Sequence, residues 1–229
     1  MEALWRMKLL CWRSLKLFAF AILGVFTMLA CGPPMPPSSY LTSTITIGIQ
    51  PFGPFDPPLI DTIQQAIKEL YSFQTKVLPG MAMPQSAFVN IKSPRYRADT
   101  LLKIMRIEMP DSVDFVLGLT EKDISTTKRD TDGAIKKPES RYTDWGILGL
   151  GYRPGPCAIV STFRLQAPSR KVFIERMKKV CVHEIGHNLG LGHCSSSDFC
   201  VMRDAAETVK TVDKVRLELC ENCRARIDQ

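Results

Sequence analysis

The sequence predicts an α/β domain, helices packed around one mixed sheet with α+β character. Three observations predict it. β-Branched apolar runs with strand-like patterning alternate with segments of 3.6-residue apolar spacing. Proline and glycine clusters separate these segments. One segment, 169–189, has the length and periodicity of a long helix closed by a glycine.

The elements follow in order. Thr42–Gln50 (TSTITIGIQ) alternates β-branched and small residues and reads as a strand, ended by the proline-rich turn 51–58. Leu59–Tyr71 carries Leu59, Ile60, Ile63, Ile67 and Leu70 at helical spacing. Ala87–Ile91 is a short strand, Arg97–Met109 a helix closed by Pro110, and Val113–Leu119 a buried strand. The polar stretch 120–143 lacks periodicity and is expected to be a long functional rim. Gly146–Tyr152 and Cys157–Phe163 flank the turn Arg153-Pro154-Gly155-Pro156 and predict a hairpin. Ser169–Leu189 then sets apolar residues against a basic face of Lys171, Arg176, Lys178 and Lys179. A last helix is expected over 206–227.

The first thirty residues do not belong to that domain. Arg6, Lys8, Arg13 and Lys16 lead into the apolar run Leu17–Ala30. The run has the length of a secretory signal core and is short for a bilayer span. It ends Met28-Leu29-Ala30-Cys31, which resembles a bacterial lipobox. Cys31 is the expected lipidation site, although a plain membrane anchor with an incidental cysteine fits the same residues. The organisation expected is a signal peptide at 1–30, a lipid-anchored linker at 31–41 and a catalytic domain at 42–229. The place expected is the periplasmic face of a bacterial envelope, with Gly32 favouring the outer membrane. Cys11 would leave with the signal.

Composition excludes little else. The chain of 229 residues is 45% hydrophobic and 23% charged, as globular proteins are. Its net charge of +7 falls to +4 without residues 1–30, and no compact basic cluster with interleaved aromatics is present. Nucleic acid is not an expected partner.

All three histidines lie in one stretch, His183-Glu184-Ile185-Gly186-His187-Asn188-Leu189-Gly190-Leu191-Gly192-His193. Residues four apart share a helix face, so His183 and His187 can grip one ion. Gly190 lets the helix stop and the chain swing back, which returns His193 as a third ligand. Three protein ligands leave a fourth position for water, whose pKa zinc lowers to about 7. Glu184 is placed to take the proton of that water and deliver it to a leaving amine. A purely structural zinc fits less well, because such sites are closed by four ligands and rich in cysteine.

Cysteines supply that second pattern. Cys194 follows the third histidine, Cys200 comes six residues later, and Cys220 and Cys223 form a CxxC near the C-terminus. The four suit a closed, tetrahedral structural zinc. Disulfides are the competing reading, since an exported protein meets an oxidising compartment. Cys157 and Cys181 fall outside both sets.

With both patterns in view, residues 113–226 resemble the archaemetzincins, a branch of the metzincin metallopeptidases. The likeness is carried by HExxHxxGxxHC at 183–194, by Cys200-Val201-Met202, and by Cys220-Glu221-Asn222-Cys223. The five-residue gap between Cys194 and Cys200 is one longer than in many members. The resemblance implies a metzincin-like zincin fold with an active-site helix, a C-terminal helical zinc-cluster subdomain, and Met202 as a Met-turn methionine beneath the catalytic zinc. It also implies an antiparallel edge strand along the cleft, for which Trp145–Tyr152 is the candidate. The function expected is a zinc-dependent peptidase acting on peptides or proteins, with an aminopeptidase as one form and a monomer as the expected state. A non-catalytic zinc- or peptide-binding protein, or a zinc amidase, are the alternatives. Tyr152 and Arg164 are the candidates for stabilising the oxyanion.

Overall fold

The computed structural model describes residues 44–204 and 208–227. The expected signal, linker and Cys31 lie outside the described residues.

Nine strands and six helices are described in the order β1 (Thr46–Phe52), α1 (Pro57–Tyr71), β2 (Gln74–Val77), β3 (Phe88–Asn90), β4 (Pro94–Arg97), α2 (Ala98–Glu108), β5 (Phe115–Thr120), β6 (Ile124–Thr126), α3 (Glu139–Tyr142), β7 (Trp145–Ile147), β8 (Gly149–Gly151), β9 (Cys157–Ser161), α4 (Arg170–Asn188), α5 (Val209–Lys214) and α6 (Glu221–Ala225). The main sheet runs β2-β1-β5-β9-β8. Its first four strands are parallel, and β8 closes the edge antiparallel to β9. A smaller sheet, β3-β4-β6-β7, lies beside it.

Strand alternation divides the core into two layers. Ile47, Ile49, Leu117, Leu119, Ala158 and Val160 face α1 and α4. Val116, Cys157 and Ile159 point the other way, against Leu101, Leu102 and Met105 of α2. A parallel sheet covered on both faces needs near-continuous apolar strands, which is what β5 and β9 supply. The predicted mixed α/β fold is therefore the fold observed, with its strands divided between two sheets rather than one.

Several expectations need correction. The strand β1 runs through Pro51 to Phe52, so the turn begins at Gly53. The stretch 120–143 is not one loop, because it holds β6 and α3. The segment 145–152 is split, with β7 in the small sheet and only β8 on the edge of the main one. No single helix spans 206–227, of which 206 and 207 lie outside the described residues. Instead α5 and α6 are separated by an extended stretch tied to residues 199–201 by Arg216 N–H to Phe199 O and Val201 N–H to Glu218 O, both 2.8 Å. Strands β2 and β4 are additional. Both are short and half-exposed, so neither carries an apolar alternation.

Buried charge joins the two sheets. Asp123 takes Arg95 and Arg164 at 2.7–2.8 Å, and Arg95 also reaches Asp144 at 2.9 Å. Arg164 is committed to this network. Tyr152 sits with the α2 layer, 5.9 Å beneath the Arg106 guanidinium. Neither lines the cleft, so the expectation of an oxyanion role for either is not supported.

Candidate metal centre and active-site cleft

The second half of α4 is buried on every side. From Val180 to Asn188 each residue is covered, His183 and Glu184 to within 7% exposure. The first half carries the basic face at the surface. The helix therefore runs from solvent into the core and delivers His183, Glu184 and His187 to a cleft wall.

Its end is built as the glycine predicts. Gly190 has φ +91°, in the left-handed region. The Gly190 and Leu191 N–H groups bond the carbonyls of His187 and Gly186, each at 2.9 Å. The chain reverses there and brings His193 back over the helix. The three imidazole centroids stand 4.6, 5.4 and 5.0 Å apart, and their ring nitrogens lie within 4.8 Å of one another.

Two of the rings are held in one tautomer. His183 Nδ1 lies 2.8 Å from Val201 O and His187 Nδ1 lies 2.8 Å from Leu191 O. A carbonyl can only accept, so each Nδ1 carries the proton and each Nε2 keeps its lone pair. Burial, then the neighbouring His187, pushes the His183 imidazole down to about 3, and burial lowers His187 as well. Neutral, oriented imidazoles fit a zinc ion. His193 is the more exposed member, its Nδ1 3.7 Å from Asp204.

Glu184 lies between the helix and the edge strand. A Cβ built on Gly149 would fall 2.7 Å from its Oε1, so β8 approaches this closely only because it lacks a side chain there. Burial pushes the Glu184 carboxyl up to about 8, opposed by a backbone hydrogen bond from Gly151. Met202 packs under the helix against Gly186, where a Cβ would sit 2.3 Å from its Sδ. Met202 follows Val201, whose carbonyl holds His183 Nδ1.

The four cysteines also converge. Cys194 and Cys220 Sγ are 3.6 Å apart, Cys220 N–H points at Cys200 Sγ at 3.4 Å, and all four sulfurs lie within 4.8 Å of one another. The six described cysteines are free thiols. Burial raises Cys200 and Cys223. Cys194 is lowered: burial opposes ionisation there, but the Ser196 and Ser197 N–H groups and the Cys220 and Cys223 thiols outweigh it. Four sulfurs this close and this covered form a donor set that suits one zinc. One detail differs from expectation: Cys220 is the N-cap of α6, not a residue on its face.

Some participants carry no motif. Asn188 donates to Tyr152 O at 3.1 Å and Cys157 O at 2.9 Å, which ties the hairpin turn to the end of α4. Tyr71, on α1, donates to Val182 O at 2.7 Å. Lys179 was grouped with the surface bases, yet it lines the cleft and donates to Val212 O at 3.1 Å. Only the spacing of Lys179, one turn before His183, could have placed it.

The cleft encloses about 450 Å³ between β8 and α4. A sequence model of peptidase family M54 matches residues 59–229. The chain belongs to peptidase family M54. An archaemetzincin of Haloquadratum walsbyi is 30% identical over 186 residues, covering 77% of this chain and 96% of that protein. The crystal structure of archaemetzincin from Methanopyrus kandleri matches with a TM-score of 0.64 at 27% identity, covering 85% of this chain and 97% of that one. Archaemetzincin from Archaeoglobus fulgidus, crystallised with malonate, matches with a TM-score of 0.62 at 26% identity, covering 80% and 99%. This M54 member is thus a zinc metallopeptidase with an archaemetzincin fold. Its histidine and cysteine groups are consistent with two zinc sites.

Proposed function

We propose that this peptidase cuts peptide bonds with His183, His187 and His193 holding a catalytic zinc and Glu184 carrying the proton. The convergence of three imidazoles beside one buried carboxyl group supports this reading most directly. Zinc, when bound, supplies the Lewis acidity that acidifies water and polarises the scissile carbonyl.

The protein's own groups do the rest. Val201 O and Leu191 O fix the tautomers of His183 and His187. Ile147, Val180 and Val215 give the cleft an apolar wall beside the histidines. Glu184 accepts a proton from the attacking water at its carboxylate and returns it to the departing nitrogen. Its burial suits that work, because a carboxyl raised toward neutrality can both take and give a proton. The N–H and C=O groups of β8 face the cleft at a sheet edge, where an extended substrate can add as a further strand. Cys194, Cys200, Cys220 and Cys223 hold the second zinc, which fastens the C-terminal segment. An aminopeptidase mode is the finer form of this reading. Comparing peptides with free and acetylated N-termini tests it.

Glu184→Gln is expected to lower peptide hydrolysis by about 10²- to 10⁴-fold with the zinc content unchanged. Full activity in that variant would remove Glu184 from the mechanism. The envelope location and lipid anchor rest on residues 1–31, and the monomeric state is part of the same reading. Metabolic labelling with a fatty acid, lost in Cys31→Ser, tests the anchor.

A further inference from the structure

Among the described residues, basic side chains predominate in the lining of the cleft. Besides the histidines, Lys128, Arg153 and Lys179 line it, against a single carboxylate, Glu184. The peptidase mechanism makes no use of Lys179.

Lys179 stands one turn before His183 and two before His187, so the three side chains share a face of α4. The apolar side chains of Val180, Val212 and Val215 form the wall beside it. Its ammonium has three donors, and one goes to Val212 O at 3.1 Å. Glu175 and Asp213 attract the Lys179 ammonium as neighbouring charges, but their hydrogen-bonded ion pairs are with other cations. Asp213 is bound to Arg176 at 2.7 and 2.8 Å, and Glu175 to Lys178 at 2.5 Å. A half-buried ammonium among valines, with no ion pair to a carboxylate among the described residues, favours an additional anion.

Distance limits where that anion sits. Four residues of helix rise about 6 Å. An extended peptide advances about 3.3 Å per residue. A group bound at Lys179 is therefore one or two residues from a bond held at the histidines.

We propose that Lys179 makes the cleft selective for a substrate carboxylate one or two residues from the bond that is cut. Its source is an acidic side chain or the substrate's own C-terminus. The selectivity rests on the peptidase reading above.

The test uses full-length, zinc-loaded protein and hexapeptides. One set is amidated and carries Glu or Gln at each of the two positions on either side of the cut. A second set has neutral side chains and ends in a free carboxylate or an amide. The wild type should favour the carboxylate member of one set in kcat/KM by about ten- to a hundredfold. Lys179→Gln, whose amide can still donate to Val212 O, should bring that ratio close to one, mainly through KM. Lys179→Arg should keep it. No carboxylate preference in the wild type, or the same preference in Lys179→Gln, overturns the proposal. Should the zinc-loaded wild type cleave none of the peptides, the peptidase reading fails on its own. Calorimetric binding of the same peptides then decides the Lys179 site. A carboxylate-dependent affinity lost in Lys179→Gln supports it, and equal affinities overturn it.

Discussion

Val201 and Leu191 determine, through their carbonyl oxygens, which nitrogen of two histidines is available to a metal. Neither is a metal-ligand position of its motif, yet both lie close to one. Leu191 lies just past the glycine reversal, and Val201 sits in the turn with Met202. The same turn makes Gly186 a tight position. A methyl group there would meet Met202 Sδ at 2.3 Å and Cε at 2.9 Å. Gly186→Ala is expected to destabilise the zinc-loaded protein by about 1–3 kcal/mol, because Met202 must shift within a packed core. Thermal denaturation checks this, and an unchanged midpoint would mean that the turn is loosely packed. Tyr71→Phe removes one buried hydrogen bond to Val182 O and should cost about 1 kcal/mol in denaturant titration, with the fold intact. The histidines, Glu184 and the cysteines were legible in the sequence because metal chemistry restricts residue type and spacing. Lys179 was not legible as a cleft residue. Beside Arg176 and Lys178 it reads as surface, and only the return of Val212 turns its amine inward.

At the scale of elements, legibility followed apolar periodicity. The helices α1 and α2 and the strands β5 and β9 bury apolar faces and were found within a few residues, while α4, buried all round in its second half, was marked by its length and its closing glycine. The strands β2 and β4 escaped because each is four residues long with no fully buried side chain, β2 at a sheet edge and β4 inside the small sheet. The last expected helix failed for another reason. Val209, Val212, Val215 and Leu219 recur at nearly helical intervals, but their segment breaks to hydrogen-bond with 199–201 and bring Cys220 and Cys223 to Cys194 and Cys200. Tertiary ties override the local pattern there. It follows that Cys220→Ser should release one zinc and open the chain beyond 203 to limited proteolysis, while the histidine site keeps its metal. Protease resistance equal to that of the wild type would contradict this role. The ion network behaves as a second clasp. Asp123→Ala leaves Arg95 and Arg164 without their shared carboxylate and should lower stability by about 3 kcal/mol in denaturant unfolding.

Across the whole molecule, one sheet carries two separate tasks. Its parallel strands pack α4 against the core from one side, and its antiparallel edge strand β8 borders the cleft, so the same layer fixes the catalytic helix and borders the space for substrate. The four cysteines gather at the foot of the segment from which Val212 and Val215 complete the cleft wall. In the proposed function, stability and activity are joined through two metal sites of opposite character, one open and one closed. Elemental analysis of zinc per chain tests this most directly, on the wild type, on His187→Ala and on Cys220→Ser. Two zinc ions in the wild type and one in each variant are expected. A single ion in the wild type, lost in only one of the variants, would contradict the pairing of an open histidine centre with a closed cysteine one.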